Sequence, residues 1–294
     1  MSSDHQVALS EPENQFTTTH HVYEPHKAGI PPLKSYATEL WRRREFASEM
    51  SRANLRSANT MTVFGQVWLV LNPLLLAGVY FLLVQVLSGG HQGMPYFAKL
   101  TAGLFSFYFV AGSMQTGAGS VVGGGKLLLN TAFPRLLMPY SAVRTAFFRF
   151  LPTMPVYLLF HLLAHKGFNF GTLCALPFLF LLIVFSLGLA AFFGTLQVYF
   201  RDTASFMPYV NRIWLYLSPV LWTLDSIPHK FQRFTSIQPM NPLFSLLGGF
   251  TEGLVDGKVP ALTTWLLASG WAFGVFAIGS LFFMSREREF AVRL

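Results

Sequence analysis

The sequence predicts an all-α membrane protein with six transmembrane helices, an N-terminal amphipathic interface helix, and short re-entrant outer helices between spans five and six. Three observations carry this reading. Apolar runs recur at 62–87, 100–122, 146–164, 172–198, 205–224 and 261–284. A helix rises ~1.5 Å per residue, so about 20 apolar residues cross the ~30 Å hydrocarbon layer, and every run is near that length or longer. Almost no charge falls inside the runs. Finally, hydrophobic residues make up 52% of the 294-residue chain and charged residues only 12%, about half the ~25% of a soluble domain.

The 21 Lys and Arg residues predict the orientation. Lys27, Lys34, Arg42, Arg43, Arg44, Arg52 and Arg56 precede the first run. Lys126, Arg135, Arg144 and Arg149 are assigned to the connection between the second and third, Arg201 to that between the fourth and fifth, and Arg286, Arg288 and Arg293 to the tail. The opposite side holds Lys99, Lys166, Lys230, Arg233 and Lys258. Basic residues collect in the cytoplasm, so both termini are expected there, as an even number of crossings requires. The same rule accounts for the net charge of +8 without a nucleic-acid partner. The single Cys174, in the fourth run, excludes an intrachain disulfide. About sixty polar residues before the first run, with no small-residue cleavage site, argue against a signal peptide.

Residues 1–32 are polar, with too few aliphatics to build a core, and are expected to be a disordered cytoplasmic segment. Residues 33–60 form the interface element. Leu33, Tyr36, Leu40, Ala47, Leu55 and Ala58 share one helical face, with Arg42, Glu45, Glu49, Arg52 and Arg56 opposite. Such a basic amphipathic helix lies on the cytoplasmic membrane surface. Arg44 and Phe46 interrupt the stripe, so two shorter helices also fit. Residues 61–294 form the six-span domain. Within it, 225–260 is too apolar for a free loop and too often broken by proline and glycine for a span. Short re-entrant helices satisfy its backbone.

Several motifs are weighed and set aside. Gly123-Gly124-Gly125-Lys126 fails GxxxxGK[ST], because Ser120 replaces the first glycine and Leu127 the hydroxyl residue. ATP and magnesium, if used, therefore belong to another chain, and this one holds no cofactor. His161 and His165 have i, i+4 spacing but no third metal ligand. No carboxylate falls in mid-membrane, which disfavours an ion-coupled carrier. A membrane glycosyl or acyl transfer enzyme would have to draw on Asp225, Glu252 or Asp256, whose spacing suggests no catalytic pair. Arg212 is read as the one intramembrane charge, with Arg201 and Asp202 at the nearby interface and Asp202 as its candidate counter-ion. Tyr80, Phe81, Phe105, Tyr108, Trp214, Tyr216 and Trp222 are candidates to line a passage, although lipid-facing belts use the same residues.

Three segments together resemble the ABC type-2 permeases that export polysaccharides such as O-antigen and teichoic acid. They are RANLRSANTMTVFGQVWLVLNP (52–73), KLLLNTAFPRLLMPYS (126–141) and YFRDTASFMPYVNRIWLYLSPVLWTLDSIP (199–228), supported by Asn241-Pro242-Leu243 and the tail REREFAVRL. The resemblance covers about 33–294. It implies two permeases working with two ABC ATPase subunits, and a polyprenyl-diphosphate-linked glycan moved outward across the bacterial plasma membrane. It places docking on the ATPase at 127–139, with Phe133 and Leu136 as anchors, Lys126 and Arg135 at the rim, and Leu129 and Pro134 between. It also favours the aromatic-passage reading. The N-terminal half is most similar to actinobacterial, mycobacterial-type members, which implies a cell-wall galactan precursor. A permease for a drug or small lipid is the alternative within the same family.

Overall fold

The computed structural model describes residues 31–57, 64–87, 89–90, 93–131, 133–165, 167–222 and 238–294, and among them there is no strand. The expected disordered segment, almost all of 1–32, and residues 225–237 of the outer loop lie outside the described residues. The interface element is two helices, α1 (Leu33–Arg42) and α2 (Arg44–Ser57), divided at Arg43. Phe46, the residue that interrupts the apolar stripe, packs inward beside the buried Ala47 and Ser51 of α2.

The membrane body comprises α3 (Trp68–Leu87), α4 (Met94–Gly123), the short α5 (Gly125–Asn130), α6 (Leu137–Phe150), α7 (Thr153–Leu163), α8 (Ala175–Tyr199), α9 (Thr203–Leu217), α10 (Pro242–Asp256) and α11 (Leu262–Arg286). A 3-10 turn at Glu287–Glu289 and α12 (Phe290–Arg293) close the chain. Among the described residues, five helical segments are long and apolar enough to cross a bilayer: Gly65–Val86, Met94–Gly123, Leu137–Leu163, Phe170–Tyr199 and Leu262–Arg293.

Two spans depart from their apolar runs. The third begins at Leu137, well before the run at 146. Pro139 reads as a breaker in sequence, but it sits in the first turn of α6, where its missing N–H has no intrahelical acceptor to lose. Arg144 and Arg149, counted above as loop residues, therefore belong to the spanning segment, and Arg212 is not the one charge there. The fifth run yields a helix of only 15 residues, ~22 Å long. Pro219 disfavours helical geometry at Ser218, whose ψ of 150° ends α9. The chain still continues antiparallel to α4. Asn211 faces Gln115, Val220 packs at Gly103, and the Leu221 carbonyl accepts a 2.8 Å hydrogen bond from the Tyr96 hydroxyl.

Helix α4 is the axis of the core. It packs between α6 and α8, with α3, α7, α9 and α10 around it, and Phe107, Phe178, Phe185 and Phe250 fill the interior. Glycines allow close backbone approach where α8 crosses α11, at Gly188 and Gly279. At one end α1, α2, α5 and α12 gather around Leu136, Met138, Val198, Phe283 and Phe290. At the other, Lys99 pairs with Asp256 at 3.0 Å. There the Tyr157 hydroxyl donates to the Leu254 carbonyl at 3.3 Å and lies 2.9 Å from Nδ1 of the fully buried His161. His161 is thus engaged by Tyr157, while His165 is exposed.

Candidate functional site

The loop expected to dock a partner is clamped to α1 and to the C-terminal turn. The Tyr36 hydroxyl of α1 donates to Glu287 Oε2 at 2.6 Å and accepts from the Leu136 backbone N–H at 3.4 Å. Arg135 donates to the Glu287 backbone carbonyl. Burial first, and then the Glu287 carboxylate, push the Tyr36 phenol well above its ordinary value, so it remains a donor throughout the physiological range. Phe133 lies against Phe46 of α2, ring centroids 4.8 Å apart. Leu136 is 3% exposed and Pro134 is buried. Leu136 is thus not presented as an anchor, because α1 and the C-terminal turn cover the apolar residues of the loop. The side chains of Lys126 and Leu129 lie outside the described set. The outward-facing candidates that remain are Phe133 and Arg135, both half-buried.

The aromatic candidates separate into two groups. Tyr80 of α3 and Tyr216 of α9 lie near one another, with Tyr108 of α4 and the Arg212 guanidinium in their neighbourhood. The others have structural partners. Trp214 donates to Asn241 Oδ1 at 2.9 Å and packs on Phe185. Trp222 donates to the Tyr216 carbonyl at 3.0 Å. Phe81 packs on Tyr96 and Phe97, and Phe105 is buried in the core. Asp202 stands at the N-cap position of α9, with no side-chain capping bond, ten residues before Arg212, which is ~15 Å along the helix. It cannot neutralise Arg212, whose neighbours are the tyrosines. Arg201 is exposed, and its carbonyl accepts from Gln197 at 2.8 Å.

Two cavities adjoin along α4. One, of about 450 Å³, lies between α3, α4, α6 and α7 and is walled largely by apolar groups, among them Trp68, Leu69, Leu76, Phe109 and Phe150. Of the seven passage candidates it takes in only Phe105 and Tyr108. The other, of about 540 Å³, lies between α2, the end of α4, and α6; Asn54, Ser57, Ser120, Ser141 and Thr145 line it among others, and its wall is as apolar as that of the first. Thr116 and Arg149 line both. The Arg149 Nε is buried without a hydrogen-bond partner among the described residues, and no carboxylate lines either cavity. Sequence reasoning missed Arg149 by placing it in a loop. The available signal was that Pro139 can stand in a first helical turn, which lets one helix run through Arg149.

No family model matches the chain. Similarity to individual proteins is extensive. The chain is 28% identical over 209 residues to the O-antigen export system permease protein RfbA of Klebsiella pneumoniae, covering 71% of this chain and 79% of that protein. A second Klebsiella pneumoniae protein of the same name is 27% identical over 211 residues, covering 71% and 80%. The protein of that name from Myxococcus xanthus is 25% identical over 255 residues, covering 86% and 96%. Over most of its length the chain is similar to O-antigen export permeases. The long apolar helices of the fold suit a multi-pass membrane protein.

Proposed function

We propose that this chain is the transmembrane subunit of an ATP-driven exporter, moving a polyprenyl-diphosphate-linked polysaccharide across the bacterial plasma membrane. The observation that carries the proposal is similarity to O-antigen export permeases over most of both chains. The turn at 218–221 completes a sixth crossing, and both termini are cytoplasmic, on the side where α1 and the C-terminal turn hold the docking loop. Two permeases and two ATPase subunits form the transporter. Helices α3 and α9 leave apolar side chains uncovered, with Val86 80% and Ile213 60% exposed, as spans that face lipid or a second copy would. A cell-wall galactan is the glycan class that the N-terminal half favours. This chain performs no chemistry, and its conformations are driven by ATP binding to its partner.

The decisive experiment is reconstitution. The purified chain is expected to hydrolyse no ATP above background, and adding the cognate ATPase subunit creates activity in a complex with two copies of each. ATP turnover by the chain alone, or a functional 1:1 complex by mass measurement, overturns the proposal.

Orientation has its own test. Lys258 is exposed just beyond α10. In a Cys174→Ser background, Lys258→Cys is expected to react with an impermeant thiol reagent in intact cells. Labelling only after lysis reverses the topology.

A further inference from the structure

We infer that α1 senses anionic phospholipid: Leu33, Ala37 and Trp41 lie in the headgroup layer, Lys34 and Arg44 hold lipid phosphates, and Tyr36 and Leu40 pass that contact to the loop at 126–139. The lipid contact stands on the geometry of α1, and its consequence for transport rests on the exporter reading.

Helix α1 has two apolar surfaces. The 3.6-residue period puts Leu33, Tyr36 and Leu40 near one face. In the fold Tyr36 and Leu40 turn inward and pack with Met50 and Phe133 around Leu136. Leu33 and Trp41 stay 54% and 68% exposed. With the exposed Ala37 between them they recur at every fourth residue, on a stripe about a quarter turn round the helix. Thr38, Glu39 and Arg42 occupy the remaining, polar side and are exposed. The stripe that protein covers is therefore not the one left for the membrane.

The depth of α1 selects the occupant. The span Leu137–Leu163 has 27 residues, ~40 Å of helix against ~30 Å of hydrocarbon, so each end stands ~5 Å out among the headgroups. The Tyr36 hydroxyl accepts from the backbone N–H of Leu136, the residue before that span. Helix α1 thus lies at headgroup level, where tryptophan collects because its ring is apolar and its N–H reaches water. A soluble protein would meet the polar side of α1 instead.

Charge then specifies the lipid. The Arg44 guanidinium lies over the Trp41 ring, 4.7 Å from its centroid, and donates to the Trp41 carbonyl at 3.3 Å, so this cation is fixed at the edge of the stripe. Lys34 stands two turns before Trp41 on the same side of the helix. The neighbouring acids are engaged elsewhere, Glu39 by Arg43 at 3.0 Å and Glu49 by Arg52 at 2.7 Å. Neither Lys34 nor Arg44 pairs with a carboxylate among the described residues. Two cations beside an exposed tryptophan at this depth match anionic headgroups, and the guanidinium fork suits phosphate oxygens. A zwitterionic headgroup brings its own cation and gains less. Because Tyr36 and Trp41 belong to one short helix, a shift of α1 on the membrane reaches the Leu136 N–H directly.

The test places the full-length chain, with Cys174→Ser and Ala37→Cys and an NBD fluorophore on the new thiol, in nanodiscs. The lipid is phosphatidylcholine with a nitroxide-bearing fraction, with or without about 30% phosphatidylglycerol, and each basic residue near an anionic surface is worth about fivefold in attraction. Phosphatidylglycerol is expected to raise lipid quenching of the fluorophore at least threefold. It is also expected to slow hydrogen exchange across 127–136 at least threefold. The same label at Ser35→Cys, on the polar side, stays unquenched. Lys34→Gln/Arg44→Gln abolishes both responses without changing the melting temperature in detergent, since both side chains are exposed. Salt checks the chain without those substitutions: raising it from ~0.1 to ~1 M shortens the screening length from ~10 to ~3 Å and removes the response. Quenching that is equal with and without phosphatidylglycerol, or that survives the double substitution or high salt, overturns the inference. Protection of the label by an ATPase subunit in place of lipid, or a disulfide between two copies through Ala37→Cys, gives the stripe to a protein and overturns it as well. Lipid quenching without slower exchange at 127–136 refutes the link to the loop. Quenching and exchange are read on this chain alone, so a failed reconstitution sinks the exporter reading and leaves them standing. A complex that exports, but whose label ignores phosphatidylglycerol, loses this inference only.

Discussion

Gly188→Val and Gly279→Val are each expected to abolish accumulation of the folded protein in the membrane. These two glycines are the points at which α8 and α11 touch backbone to backbone. A Cβ on Gly188 would overlap the Val275 carbonyl and come within 2.6 Å of the Phe276 Cα, and one on Gly279 would overlap the Gly188 carbonyl. The obstructing atoms are main chain, so no rotamer change relieves them, and the helices must separate along their length. Overpacking of this kind costs ~1–3 kcal/mol even where side chains can yield. Here it also breaks the most extensive helix pairing in the fold. Helix propensity acts in the opposite direction by less than ~1 kcal/mol and cannot rescue the variants. The control lies on the same helix. Gly270 and Gly274 would meet nothing within 4 Å, so alanine at either is expected to leave abundance and melting temperature unchanged or slightly raised. The measurement is membrane abundance with detergent melting curves. Normal accumulation of Gly188→Val would show that α8 and α11 are not packed through these residues.

The helices were legible where a physical constraint acts on composition alone. Residues 62–87, 100–122, 172–198 and 261–284 are apolar because a membrane span must be, and helices occupy all four. The third and fifth runs were read less well because proline was weighed without its position. Pro139 falls where a helix tolerates it, so α6 begins earlier and carries Arg144 and Arg149 inward. Pro219 falls where it ends a helix, so the fifth run divides into α9 and a turn. The order of the motifs pointed to polysaccharide-export permeases, and the similarity found agrees. The site was less legible, because aromatic content does not specify direction. Trp214 and Phe81 satisfy internal partners, while Tyr80, Tyr108 and Tyr216 converge on Arg212 only through the packing of three helices remote in sequence. Leu136 was read as an exposed anchor because nothing local in 126–139 shows that Tyr36, a hundred residues earlier, covers it.

Tyr36→Phe is expected to uncouple transport from hydrolysis, with export falling at least tenfold while the ATPase rate of the reconstituted complex stays within about twofold. The substitution keeps the ring that packs with Leu40 and Phe133 around Leu136 and removes a single oxygen. That oxygen joins three parts of the chain, since it donates to Glu287 in the C-terminal turn and accepts from Leu136 in the loop while belonging to α1. Glu287 is buried, 9% exposed, so losing its donor leaves a carboxylate oxygen poorly satisfied at a cost of ~1–3 kcal/mol. Glu287 stands in the 3-10 turn just past α11, so the cost falls on the register of the loop against α1 and the C-terminal turn. A change of ~1–3 kcal/mol between two loop positions shifts their populations about 5- to 150-fold, which sets the tenfold expectation. Removing both partners supplies the internal check. In Tyr36→Phe/Glu287→Leu the phenol and the carboxylate go together and only the Leu136 N–H loses its acceptor, so the double variant is expected to lose less stability than the two single variants summed, with a non-additive difference of at least ~0.5 kcal/mol. Additive stabilities together with normal export in Tyr36→Phe would mean that this contact does not hold the loop, and docking would then have to depend on other residues of 126–139.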